Sequence, residues 1–187
     1  MVIMSQPFHL PERYRLHPPE TILALVNLPA KGYILEAGCG KGYFTQALAG
    51  KIHPHSRLVA LDVKKSVLKE ARRLVSAPEV MWVCAEPHRY PFAEACFVQA
   101  VCAFSLHESR DPERMLREIF RLLAPRAGLL VVEWQWPEEK TSRSDRIPPG
   151  RMEKLLCQAG FVGIKRLIED STLYALMATK PTMEEAQ

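Results

Sequence analysis

Three glycines within five residues, Gly38-Cys39-Gly40-Lys41-Gly42, follow an apolar run, Tyr33 to Ala37, and open a helical stretch, Tyr43 to Lys51. Few folds use this order. A strand that ends in a glycine-rich turn and passes straight into a helix lets the backbone turn tightly and come close to a ligand. The rest of the chain repeats the alternation. Strands are expected at Arg57 to Asp62, Val80 to Cys84, Phe97 to Ala103 and Leu129 to Glu133, with helices at Lys65 to Val75 and from Asp111-Pro112 to Leu123. Asp111 is a natural N-cap and Pro112 suits the first helical position. A helix at Pro149 to Ala159, ended by Gly160, precedes two closing strands, Val162 to Leu167 and Tyr174 to Thr179. This pattern predicts an α/β fold with a mostly parallel sheet covered by helices on both faces.

Length and composition narrow the class further. The chain has 187 residues, 48% hydrophobic and 25% charged, which suits one globular domain. We divide it into an N-terminal arm (1–17), a main domain (18–180, starting with a short helix at Pro18 to Val26) and a tail (181–187). No apolar run reaches the roughly 18–20 residues of a membrane span, and the start does not resemble a secretory signal, so a cytoplasmic protein is expected. The net charge of +4 is mild. Clusters such as Lys69 to Arg73 read as solvated faces, and nucleic acid is not an expected partner. Five cysteines, an odd number without a Cys-x-x-Cys pair, argue against a disulfide framework and a zinc site; no metal is expected. Cys84, Cys96 and Cys102 fall in apolar stretches and are expected as buried thiols.

The spacing of the glycines discriminates between ligands. A dinucleotide fingerprint is G-x-G-x-x-G, whereas this run is G-x-G-x-G with Glu36 two positions before it. A carboxylate there repels a pyrophosphate but suits a ligand that carries an ammonium and a sulfonium. Asp62, at the end of the second strand, is placed to accept both hydroxyls of a ribose. The start of the following helix is expected to offer free N–H groups to the ligand.

On these residues the chain resembles the class I S-adenosylmethionine-dependent methyltransferases, in particular the group that includes the ubiquinone/menaquinone C-methyltransferases. ILEAGCGKGYFT is similar to the family's first motif and ALDVKKSVLKEAR to its second. Glu86-Pro87-His88-Arg89-Tyr90-Pro91-Phe92 resembles a segment that meets the adenine, and FVQAVCAFSLHE resembles the fourth-strand motif. The similarity runs from about Ile22 to Lys180. It implies a Rossmann-like class I methyltransferase fold: a seven-stranded, mostly parallel sheet flanked by helices, with the last strand antiparallel. It also implies S-adenosyl-L-methionine as cofactor, held by Glu36, Gly38, Gly40, Lys41, Gly42, Asp62, Val63, Glu86, Pro87 and Ala103. Two departures stand out. Val98 replaces a usual Asp, which removes a supporting hydrogen bond, and Arg126-Ala127-Gly128 replaces a Pro-Gly-Gly turn.

Transfer of a methyl group from a sulfonium is an in-line displacement in which the cofactor supplies the leaving group, so the protein mainly orients the reactants. The Asn/Asp-Pro-Pro-aromatic run that serves base amines is absent after the fourth strand, where Ala103 to Glu108 read AFSLHE. A small-molecule acceptor is therefore expected. His107 is the candidate catalytic residue, either as a base for the acceptor or as a wall of the pocket, with Glu108 able to hold its ring charged. Trp134 and Trp136 either wall a pocket for a flat acceptor or pack under the polar loop Glu138 to Arg146. Tyr14, with Arg15, could close over the site. Two other readings remain open: a non-catalytic S-adenosylmethionine-binding regulator or partner protein, and a nicotinamide-dependent oxidoreductase, which the glycine spacing and Glu36 disfavour. The sequence leaves the oligomeric state open.

Overall fold

The structure is a computed structural model that describes residues 17–75, 77–135 and 146–185. Seven strands form one sheet: β1 (Gly32–Ala37), β2 (Ser56–Asp62), β3 (Val80–Cys84), β4 (Phe97–Ala103), β5 (Leu123–Trp134), β6 (Val162–Glu169) and β7 (Leu173–Thr179). Their spatial order is β3-β2-β1-β4-β5-β7-β6. The first five pair in parallel, whereas β7 runs antiparallel to both β5 and β6. This is the sheet the sequence predicts, with β7 reversed. The helices are α1 (Pro19–Leu23), α2 (Tyr43–Lys51), α3 (Lys65–Leu74), α4 (Pro112–Leu122) and α5 (Pro149–Gln158).

Strand periodicity splits the core into two layers. Along β1, Ile34 faces one layer while Leu35 and Ala37 face the other; along β2, Leu58 and Ala60 oppose Val59 and Leu61. The first layer joins Ile22 and Leu23 of α1, Phe44 and Leu48 of α2, and Leu68 of α3. The second joins Leu116 and Ile119 of α4 to Met152 and Leu156 of α5. Central strands must be apolar on both faces to be covered this way. Asp111 caps α4 as expected, its Oδ1 accepting from the Arg114 N–H at 2.9 Å.

Several details differ from the sequence-based expectations. The first helix is one short turn, because α1 ends at Leu23. Strand β5 begins earlier than expected, since the turn around Arg126 is a bulge within it. Phe97 lies opposite Leu123, but Gln99 lies opposite Gly128. Arg126, at φ +65°, donates its N–H to the Lys180 carbonyl, so the bulged backbone remains hydrogen-bonded. The missing Asp at Val98 leaves a valine that packs against Gly32. Of the thiols expected to be buried, Cys102 is buried, but Cys84 is exposed and Cys96 half-buried. Cys84 ends the edge strand β3, where only one neighbour covers it.

Leu116 is fully buried where α4 meets the sheet. Leu116→Ala is expected to cost about 2–5 kcal/mol of unfolding free energy, by lost burial and the cavity it leaves. Urea denaturation checks this, and a loss under about 1 kcal/mol would mean that this layer repacks freely.

Candidate active site

A cleft of about 580 Å³ opens at the carboxyl ends of β1, β2 and β4. Strand order reverses between β1 and β4, and ligands of open α/β sheets bind at that switch point. The glycine loop forms its floor. Gly38 sits at φ +81°, and a Cβ there would stand 2.4 Å from the Ser105 Cβ, so only glycine lets β1 and the post-β4 turn meet. Gly40, at φ +53°, has nothing within 4 Å of where its Cβ would be. It borders open space that a ligand can fill. Gly42, at φ +85°, instead packs the start of α2 against Val75 and Ala71. It lies outside the cleft lining and serves the packing of α2 on α3.

Asp62 joins the two halves of the floor. Its Oδ2 accepts from the Gly40 N–H at 3.0 Å and its Oδ1 from the Lys64 N–H at 2.8 Å. The N–H groups of Gly38 and Cys39 go to the Leu61 carbonyl, at 2.9 and 2.7 Å, and that of Gly42 to the Cys39 carbonyl. The loop uses these donors to fasten itself to the end of β2, and what it offers a ligand is close approach.

Glu36 is buried beside this floor and accepts from the Thr45 hydroxyl at 2.6 Å. Burial pushes its pKa up to about 8, against the lowering effect of Thr45 and with a smaller contribution from the Asp62 charge. Near neutral pH the carboxyl is mostly protonated, and it ionises readily only if a cation comes to it. Folding with a raised carboxyl pKa costs stability above the unfolded value of 4.5, and the cost grows until pH passes about 8.

The remaining predicted residues divide into two groups. Val63, Pro87 and Ala103 line the cleft, and so does Lys41, whose amine also pairs with Glu70 at 3.0 Å. Glu86 is exposed and outside the lining, although its neighbours Ala85 and Pro87 are part of it. His107 also lies outside the lining, while Ser105, Glu108 and Ser109 around it belong to it. Tyr14, Arg15 and Trp136 lie outside the described residues. Trp134 is buried and stacks on Phe104, with ring centroids 4.1 Å apart, and Arg146 sits over its ring at 5.5 Å. It therefore supports the cleft wall from behind.

Sequence reasoning missed that wall. Tyr43, Phe44 and Phe104 line the cleft, with Phe44 edge-on to both others, at centroid distances of 5.7 and 6.1 Å. Phe104 holds φ +53°, a conformation rare for a bulky residue. Its N–H is donated to the Val132 carbonyl at 2.8 Å, and its stacking on Trp134 helps hold the ring there. Position Phe104 directly follows the fourth strand, which was the one available signal.

Glu133 is the second residue whose role only the structure discloses. It is buried at the end of β5. Its Oε1 accepts from the backbone N–H groups of Leu106 and His107, at 2.9 and 3.2 Å, and its Oε2 lies 2.6 Å from His107 Nδ1. Burial pulls the imidazole pKa down, but the hydrogen bond and charge of Glu133, aided by Glu108, outweigh it and the net shift is upward. The carboxylate that raises the ring's pKa is thus Glu133 first and Glu108 second.

With this geometry in view, the relatives of the chain can be weighed. Residues 34–126 match the family described as "Methyltransferase domain". Over these residues, just under half of its length, the chain is similar to the class I S-adenosylmethionine-dependent methyltransferases. The chain is 30% identical over 114 residues to the 2-phytyl-1,4-naphtoquinone methyltransferase of Thermosynechococcus vestitus, covering 60% of this chain and 51% of that one. It is 28% identical over 121 residues to the demethylmenaquinone methyltransferase of Lactiplantibacillus plantarum, covering 63% and 51%. The chain thus spans about half the length of these two curated relatives. A crystal structure of a SAM-dependent methyltransferase from Aquifex aeolicus shares its fold, with a TM-score of 0.82 and 22% identity over 91% of this chain and 93% of that one. Among the described residues, no helix is long and apolar enough to cross a membrane.

The clamp on His107 gives a direct test. Glu133→Gln keeps an acceptor for the two backbone amides but removes the charge. The His107 titration midpoint, followed by ring-proton NMR, is expected to fall relative to the unmodified protein. A raised imidazole pKa stabilises the fold at low pH, and that contribution fades as pH climbs through the raised value. Glu133→Gln should therefore lose more stability at pH 6 than above the wild-type midpoint. An unmoved midpoint would mean that Glu133 does not set the charge of the ring.

Proposed function

We propose that the methyltransferase transfers a methyl group from S-adenosyl-L-methionine to a small, flat, largely apolar acceptor by in-line displacement. One observation carries this reading: the ligand-sized space left open at Gly40 is bordered by a buried carboxyl, Glu36, on one side and by Asp62 on the other. These groups suit a ligand with a cationic amino-acid end and a ribose. Glu36 can ionise against an ammonium. Each oxygen of Asp62 accepts one backbone N–H and retains lone-pair capacity for a ribose hydroxyl. Pro87 and Ala85 border the side where an adenine would lie, and Ala103 the methionine side.

When bound, the cofactor supplies an activated methyl group together with its own leaving group. The chain then has to orient the acceptor and keep water out. The faces of Tyr43, Phe44 and Phe104 suit a planar partner, and the names of the two quinone methyltransferases to which the chain is similar point to the same class. We assign His107 a shaping role: its Nδ1 is engaged by Glu133, its charge is favoured, and it lies off the lining. A non-catalytic S-adenosylmethionine-binding protein has no specific observation in its favour, because aromatic lining remains beyond the part of the cleft assigned to the cofactor.

Two measurements test the cofactor assignment. Calorimetry with S-adenosylhomocysteine is expected to show one site. Asp62→Ala should weaken it at least about tenfold, through lost hydrogen bonds to a charged group and a loosened loop. Unchanged affinity would place the ribose elsewhere. The second test uses protons. If Glu36 is neutral in the free protein and ionised beside the ligand's ammonium, binding below pH 8 releases protons, and affinity rises with pH towards that value. Calorimetry in buffers of different ionisation enthalpy reads this release, and Glu36→Gln should remove it. Proton uptake, or release that survives Glu36→Gln, would refute the role of Glu36.

A further inference from the structure

The net charge of the chain is +4, from 25 basic and 21 acidic residues. Residues 64–73 carry five of those cations, Lys64, Lys65, Lys69, Arg72 and Arg73, against one acid, Glu70. Their own net charge is +4, so the rest of the chain holds twenty of each sign. The whole excess lies on one helix, α3, and the residue before it. All five cations are exposed, and among the described residues none pairs with a carboxylate. The only acid of the segment is engaged by Lys41.

The helix sorts its residues sharply. Leu68 and Ala71 are buried against the sheet, while Lys65, Lys69 and Arg72, at spacings of four and three, stand in one row outside, with Arg73 beside it. That row continues at its N-terminal end into the rim of the cleft, where Lys64, Val63 and Val67 line the opening. Val63 is 47% exposed. An unpartnered basic row that ends in an exposed apolar lip fits a surface that is anionic outside and apolar beneath. A nucleic-acid backbone would take the cations but has nothing to offer the valine.

We propose that the outer face of α3 docks the protein on an anionic lipid bilayer, with the mouth of the cleft turned towards it. Near such a surface each Lys or Arg strengthens binding roughly fivefold, and the effect fades within a Debye length of about 10 Å at 0.1 M salt. The row and the rim lie on one helix and the residues just before it, so they can meet the bilayer together. Docking of this kind requires neither bound cofactor nor methyl transfer.

The test is cosedimentation of the full chain with vesicles of phosphatidylcholine alone and of phosphatidylcholine mixed with phosphatidylglycerol. Binding is expected only to the mixed vesicles, and it should vanish at 1 M salt, where the Debye length is about 3 Å. The variant Lys65→Glu/Lys69→Glu/Arg72→Glu should weaken it by at least about a hundredfold. A milder variant, Lys65→Gln/Lys69→Gln/Arg72→Gln, guards against misfolding, and S-adenosylhomocysteine affinity should stay unchanged in both. Absence of vesicle binding, equal binding to both vesicle types, or binding that survives the variants would overturn the proposal. So would selective retention on RNA without vesicle binding, which would make the row a nucleic-acid contact. Failure of S-adenosylhomocysteine to bind while docking persists would instead count against the methyl-transfer reading alone.

Discussion

The carboxylate of Asp62 holds the floor of the site together. Its two oxygens tie the middle of the glycine loop to the first turn after β2, across 22 residues of sequence. Around that link the loop directs its other amides to the Leu61 and Cys39 carbonyls, which fixes the position of Gly40 and the start of α2. The same side chain is the best candidate for the ribose. On the function proposed above, structural and ligand contacts would share one carboxylate, and a substitution there would act on both.

A second carboxylate does the same work on the far side of the cleft. Glu133 gathers two backbone amides and an imidazole into one buried cluster and so sets the shape of the turn after β4. Above it, the stack of Phe104 on Trp134 stiffens the wall. The two sides differ in character. The β1–β2 side carries the carboxyls of Glu36 and Asp62. The β4–β5 side is aromatic, and its shape depends on residues with no fixed spacing.

This difference explains what could be read from the sequence. The sheet, its helices and the first group of site residues follow from local rules: apolar runs of strand length, a capped helix at Asp111, glycines where φ must be positive, an acid at the end of the second strand. Gly38, Gly40 and Asp62 were legible as cleft residues for that reason, whereas Ala103 came only from the resemblance of its motif. The contact of Glu133 with His107 spans 26 residues, and no periodicity announces it. Phe104 reads as one more apolar residue until its backbone turns left-handed. Cys84 read as buried because β3 is apolar, and only the strand order reveals it as an edge.

Gln135 and Ile147, on either side of the connection between β5 and α5, are both pinned. Gln135 donates its N–H to the Thr172 carbonyl at 3.0 Å, and the Tyr174 hydroxyl is donated to the Ile147 carbonyl at 2.6 Å. Both anchors belong to the β6–β7 hairpin. A connection fastened at its two ends to one rigid hairpin can lengthen or shorten at an entropic cost that grows only with the logarithm of its length. The domain can therefore accept insertions beside the aromatic wall without disturbing the β1–β2 floor. Such a joint separates the length of one connection from the geometry of the cleft floor.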